Sequence, residues 1–322
     1  MEDRPKKAFR KALEKIKIVL KYEGLKYTQL TYPSKYRERS IDIVAVTSKE
    51  NILVRVKPKP NIDKEEAGDL LKASKALNAL PIVISPSSQI RDDVIYEKEG
   101  VFVMNERTFE NIISGSDELI ALYRRGEYLF KINREELRRL RERGYSLGDI
   151  AYAGGVSRRS AYKYATEGGL VTINVALRLA EAFGESVVEG IRLKTLREIF
   201  AERSRDVRSD EVPEEVYAAV SRSRELIDTL MVYRIKKSAP DYLTVALDES
   251  ESERIAVVDA TNLRKVAFRD AVKKAEETLK MAEVVPIKEV NLVVKSELKE
   301  KFADELSIVD PRKEKIMRII EK

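Results

Sequence analysis

Two groups of residues in this chain have the types and spacing that chemistry requires. The first is Ser157-Arg158-Arg159, followed by Tyr162, Lys163 and Thr166. Arg side chains near the start of a helix can reach the O6 and N7 of guanine in a DNA major groove through paired donors. Ser157 and the N–H groups of a helix start suit a phosphate. Tyr162, Lys163 and Thr166 share the outward face and could meet bases or backbone. Ser146, Arg138, Arg139 and Arg143 are further candidates for phosphate contacts, which position a protein without reading sequence. The second group is Asp42, which opens the apolar run SIDIVAV, with Arg55-x-Lys57 at the end of the next run, ILVRVK. A carboxylate on one strand and an acid-x-Lys on the next could hold Mg2+ and orient an attacking water. Here Arg55 stands where the second acid would be, and its charge repels the metal. An acid displaced onto the following helix, Glu65, Glu66 or Asp69, could restore the binding.

The inventory narrows the remaining possibilities. The 322 residues contain no Cys, His or Trp. There is no disulfide framework, no thiolate zinc site, and no Ser-His-Asp or Cys-His catalysis. No Gly-rich phosphate loop or calcium loop is present, and the reading expects no cofactor and no catalytic residue. The net charge is +6. Residues 131–208 hold 16 Lys or Arg against 11 Asp or Glu, a surplus of 5 that suggests an anionic partner for that quarter of the chain. No apolar run is long enough to cross a membrane. The opening MEDRPKKAFRKALEK is charged and helical, without a leader pattern. The expectation is a soluble, cytoplasmic, nucleoid-associated protein.

The elements that must position these residues follow from periodicity. Residues 6–24 read as a helix. KYTQLTYP, SIDIVAV and NILVRVK read as strands, and DKEEAGDLLKASKALN as a helix capped by Asp63. Then come a strand PIVIS, a short helix DDVIYEKEG, a strand VFVMN and a helix ERTFENIIS. This gives an α/β domain over 1–118. Residues 119–208 read as all helical, with 186–203 as a connecting helix. The segment 209–322 repeats the first domain's order: helix VYAAVSRSRELIDTL, strands MVYRIKK, PDYLTVALDE and RIAVVDA, helix VAFRDAVKKAEETLKMA, strand VNLVVKS, helix ELKEKFADE, strand LSIVD and helix RKEKIMRIIEK. Tyr22, Tyr27, Tyr32 and Tyr36 could stack on bases or pack in the core.

Four helices are expected within 131–184. The first covers 134–142 and is closed by Gly144. The second starts after Ser146. Gly154-Gly155-Val156 makes a turn, with Gly155 supplying a positive φ. Ser157 caps the third, which ends near Thr166 before Gly168-Gly169, and Thr172 or Asn174 opens the fourth. Ala151 is the small residue at the helix crossing, Val156 plugs the core, and Ala161 and Tyr164 face inward. This stretch resembles the XRE type of helix-turn-helix found in phage repressors and Cro. That family often has Gln where Leu147 stands, so the phosphate contact it makes would be lost or moved to Ser146.

The Asp42 and Lys57 pattern resembles the PD-(D/E)xK nuclease superfamily, with one acid replaced by Arg55. In the repeat, Pro240-Asp241 matches the first acid, while Val258 and Ala260 occupy the other two positions. The resemblance implies two restriction-endonuclease-like α/β domains, both catalytically silent, flanking a central all-α helix-turn-helix domain. That order is similar to an archaeal family of HTH-type transcriptional regulators. It implies a regulator of transcription that binds double-stranded DNA. Such motifs usually bind paired half-sites, so a homodimer is expected, and whether an effector acts on it is not in the sequence. A Mg2+-dependent nuclease or resolvase, and a non-specific architectural protein, are the other readings.

Overall fold

A computed structural model describes residues 4–47, 50–220, 230–247, 252–262, 267–307 and 317–321. The first unit is built on the strands β1 (Lys26–Gln29), β2 (Ile43–Val46), β3 (Asn51–Val56), β4 (Ala79–Ile84), β5 (Val94–Lys98) and β6 (Val101–Met104). Alternation along β3 divides its two faces. Ile52, Val54 and Val56 turn toward a layer formed by α1 (Arg4–Tyr22) and α3 (Glu106–Ser114), while Leu53 and Arg55 turn toward α2 (Lys64–Ala76). Asp63 caps α2 by accepting from the Glu66 N–H, which also holds the Asp63 carboxyl below its ordinary range.

DDVIYEKEG is not a helix. Val94, Ile95 and Tyr96 suit a pleated surface, and Glu99 and Gly100, with φ of 48° and 81°, make a tight turn that folds β5 antiparallel onto β6. Nor is the middle segment all helical. β7 (Ala121–Arg124) pairs parallel with β5, and β8 (Glu127–Ile132), β9 (Leu170–Thr172) and β10 (Val188–Glu189) extend the same sheet. The result is a ten-stranded sheet in the order β1-β2-β3-β4-β6-β5-β7-β8-β10, with β9 on β8. A continuous sheet therefore crosses position 118. The helices α4 (Arg134–Glu142), α5 (Leu147–Gly154), α6 (Arg158–Glu167) and α7 (Ile173–Phe183) form a separate core cluster around Leu137, Leu140, Ile150, Ala161 and Leu179 at the β8 end of that sheet. The connecting helix is shorter than its expected 186–203. It is α8 (Leu193–Arg203), and its Leu196, Ile199 and Phe200 join the core of the first unit.

The C-terminal unit begins with α9 (Glu214–Val220) and has five strands in the order β11 (Leu230–Arg234), β12 (Tyr242–Leu247), β13 (Ser252–Asp259), β14 (Glu289–Val294) and β15 (Met317–Glu321), with α10 (Phe268–Ala282) and α11 (Lys299–Ser307). Its pairing repeats the first unit: two antiparallel steps, then two parallel ones. The final MRIIE, expected to be helical, is the strand that corresponds to β6. A slot beside the buried β14 accounts for this, because Met317–Glu321 completes the ladder. The expected strand LSIVD begins inside α11, and its remainder lies outside the described residues.

The two units pack against each other in a reciprocal way. The loop after β1 sends the Thr31 N–H and hydroxyl to the Glu277 carboxylate on α10, at 2.7 and 3.0 Å. The loop after β11 sends the Lys236 and Lys237 N–H groups to the Asp69 carboxylate on α2, at 3.0 and 2.7 Å. Between these contacts lies a shared apolar core: Leu70, Ala73 and Leu77 from one unit, and Tyr233, Leu243, Leu279 and Met281 from the other. The arrangement is that of a two-fold dimer made within one chain.

Candidate nucleic-acid interface

α4 starts at Asn133, whose side chain accepts from the Glu136 N–H, and α5 starts at Ser146 in a full capping box with Asp149. The Ser146 hydroxyl accepts from the Asp149 N–H, while the Asp149 carboxylate accepts from the Ser146 N–H at 2.7 Å. These bonds hold the Asp149 carboxyl below its ordinary range. Gly155 ends α5 at φ 62°, with Arg178 of α7 lying across it. Val156 and buried Ala151 fill the angle between α5 and α6, and Ala161 is fully buried on the inward side of α6. The two helices and their short turn thus have the form the sequence suggested.

The candidate contact residues fall into two groups. Arg158, Arg159, Tyr162 and Lys163 are all exposed on α6. Among the described residues, Arg158, Arg159 and Lys163 make no ion pair. The Arg158 guanidinium lies close to Gly148 in the first turn of α5. The other candidates are already engaged. Ser157 is spent as a cap, accepting from the Ser160 N–H at 3.1 Å. Ser146 is likewise spent on Asp149. Thr166, expected on the outward face, is half-buried, and its hydroxyl turns inward to donate to the Tyr162 carbonyl at 2.9 Å. Back-bonding of this kind is what a mid-helix Thr does when no other acceptor is offered. Arg138 pairs with Glu135 at 3.0 Å and Glu142 at 3.8 Å, and Arg139 with Glu136 at 3.1 Å. Arg143 caps α4, exposed and without an ion pair among the described residues. Two residues escaped the sequence reading: Arg178, and Tyr152, which is 91% exposed on α5. A signal for Arg178 existed, since a Gly in the turn leaves room for a long side chain from the fourth helix.

The second group of candidates closes on itself. Asp42, Arg55 and Glu66 are buried. The Arg55 guanidinium donates to Asp42 at 2.7 Å and to Glu66 at 2.6 Å, and Lys57 closes onto the other Glu66 oxygen. The Val56 N–H also donates to Asp42, and Arg39 approaches it at 3.5 Å. Burial pulls the Arg55 guanidinium down, but Asp42 and Glu66 outweigh that and hold it above its ordinary value. These residues do not fit a divalent cation, because the guanidinium already stands between the two carboxylates and satisfies both. Glu66 has indeed moved in from the following helix, but to Arg55. Glu65 is exposed and pairs with Lys236 and Lys237, and Asp69 serves the contact between units. In the C-terminal unit Asp241 accepts from the Asp259 N–H at 3.0 Å and pairs with Lys274 of α10, while Val258 and Ala260 are buried apolar residues.

The sequence has relatives that bear on both regions. Residues 9–118 match the model of the PD-(D/E)XK superfamily domain. A larger part of the chain is similar to archaeal proteins carrying a regulator's name. A Sulfurisphaera tokodaii protein named "Putative HTH-type transcriptional regulatory protein" is 28% identical over 86% of this chain and 90% of its own length. A Pyrococcus horikoshii protein of the same type is 28% identical over 87% and 85%. A Sulfolobus acidocaldarius protein so named is 35% identical over 54% of this chain and 57% of its own.

Proposed function

We propose that the chain is a sequence-specific, double-stranded DNA-binding regulator of transcription. Its XRE-type helix-turn-helix would set α6 in the major groove, with Arg158 and Arg159 reading bases and Lys163, Arg143 and Arg178 meeting phosphates. The observation that carries this reading is that Arg158, Arg159 and Lys163 stand exposed on the helix that follows the turn and make no ion pair among the described residues, whereas Arg138 and Arg139 of α4 are paired with acids of their own helix. The names of the archaeal relatives agree with it. The two α/β units serve as a non-catalytic scaffold, because Arg55 fills the place of the second metal-binding acid. The PD-(D/E)XK match keeps a Mg2+-dependent nuclease as the competing reading. The homodimer that paired half-sites call for would use surfaces other than the α2 face, which the C-terminal unit covers.

The test is selection of binding sites from random duplexes by the full chain, followed by gel shift in Mg2+. The expected result is an enriched motif and an intact, shifted duplex, with the preference lost in Arg158→Ala/Arg159→Ala. Cleaved duplex would replace this reading with the nuclease. Binding without any enriched motif would replace it with an architectural protein.

A further inference from the structure

The most basic element of this protein is α1, not the helix-turn-helix. Its 19 residues carry eight Lys or Arg and one acid, Glu14, a surplus of seven where the whole chain has +6. Its apolar stripe, Phe9, Leu13, Ile16 and Leu20, is buried in the core of the first unit, so the basic residues are left at the surface. Lys7, Lys11 and Lys15 follow one another at four-residue intervals, a row with roughly 6 Å steps along one exposed flank. None of the three makes an ion pair or hydrogen bond among the described residues. Like charges at this spacing repel and weaken a helix, and the usual remedy is an interleaved acid. In α1 the acid Glu14 pairs with Lys17 at 2.6 Å. Beside this helix runs a cleft of about 740 Å3, with Lys6, Arg10 and Glu14 on one wall and Lys35, Arg37 and Glu38 on the other, where Lys35 pairs with Glu38 at 3.1 Å. Phe9 and Tyr36 stack there at 4.6 Å between ring centres.

A row of lysines without an acid partner among the described residues fits an external polyanion.

We propose that α1 and the cleft beside it form a second DNA contact, which holds the phosphate backbone of a duplex without reading its sequence. The choice of duplex DNA as the polyanion rests on the function proposed above. A lipid surface fits less well, because a helix that lies on a membrane must offer its apolar face, and that of α1 is spent in the core. α1 packs over β1 and β3, while the helix-turn-helix sits on β8. From β3 to β8 is five strand steps, or about 24 Å, close to seven base pairs at 3.4 Å each. A duplex somewhat longer than one operator half-site could therefore touch both.

The experiment compares the full chain with Lys7→Gln/Lys11→Gln/Lys15→Gln and with Arg158→Ala/Arg159→Ala. Fluorescence anisotropy on 30-base-pair duplexes, one random and one selected, is followed across a salt series. Circular dichroism melts establish that each variant is folded. If three phosphate contacts are lost, the slope of log K against log salt falls in magnitude by about 2.7. Affinity at 0.1 M salt should drop by at least ~10-fold, equally on both duplexes. The Arg158/Arg159 variant should lose the preference between duplexes and keep the greater part of the slope. An unchanged slope and affinity in the triple Lys variant would overturn the proposal. So would binding of the wild type to phosphatidylserine vesicles that the triple variant loses while its DNA binding persists. If the Arg158/Arg159 variant kept its sequence preference, the helix-turn-helix reading would fail while α1 stood or fell on its own slope.

Discussion

The two α/β units solve one problem with different residues. Each sets an aspartate at the start of its second strand, fully buried Asp42 in one and part-buried Asp241 in the other, and each aspartate accepts a backbone N–H from the neighbouring strand. The cation that neutralises it comes from different places. In the first unit the strand supplies Arg55 and the helix supplies an acid, Glu66. In the second the strand position is Val258 and the helix supplies the cation, Lys274. Glu66 and Asp69 on α2 correspond in role and in three-residue spacing to Lys274 and Glu277 on α10. In each unit the aspartate is answered by one cation, from the strand in the first and from the helix in the second. A charge in so dry a place must be answered by one of opposite sign.

The largest effect is expected from Arg55→Met. It removes the cation shared by two buried carboxylates, leaving Glu66 with Lys57 and Asp42 with the Val56 N–H and the more distant Arg39, and should cost about 3–5 kcal/mol, read from denaturant unfolding. The matching Lys274→Met should cost less, roughly 1–3 kcal/mol, since the Asp241 side chain is 23% exposed and can be hydrated in part. Equal costs would mean that the two sites are not electrostatically distinct.

Transplanting the second solution into the first is the sharper trial. Arg55→Val/Glu66→Lys should be more stable than the sum of its single changes allows, by about 0.5–3 kcal/mol. Strict additivity would show that the exchange of charges is coincidental.

Asp69→Ala and Glu277→Ala test the reciprocal contact. Each leaves two buried or half-buried donors without an acceptor, and each should cost on the order of 1–3 kcal/mol. A large loss for one and none for the other would deny the internal two-fold relation.

The smallest effect concerns pH. Burial raises the Asp69 carboxyl above its ordinary value, against the pull of the Lys237 and Lys236 N–H groups. A raised folded pKa gives stability that is full below the unfolded value and fades as pH rises through the folded one. The stability of the wild type minus that of Asp69→Asn should therefore shrink as pH rises above about 4. A difference that grew with pH would reverse the assigned cause.

Much of the local structure was legible because its causes are local. The caps at Ser146 and Ser157, the left-handed Gly155 and the inward Ala161 can be read from a few neighbouring residues, and the bounds of α4 came directly from its pattern. Misreadings arose where a distant partner decided. The segment containing Val94, Ile95 and Tyr96 became a strand because β6 and β7 lie on either side of it. Met317–Glu321 became one because β14 had an open edge. The charge in α1 was visible in the composition, but its helix was read for its apolar spacing alone. Lys274 could have been found by aligning the two helices, since each carries paired charged residues three apart.

Residue type and short spacing were enough for the starts and bounds of α4, α5 and α6 and for the Arg that stands at position 55. Tertiary packing was needed to show that one sheet runs from the first unit into the helical region, that Glu66 and Lys274 complete the two charge sites, and that the two α/β units contact each other through corresponding loops and helices. Those outcomes depend on which faces meet. Strand pairing and buried charge are satisfied across distances in the chain that local periodicity does not carry.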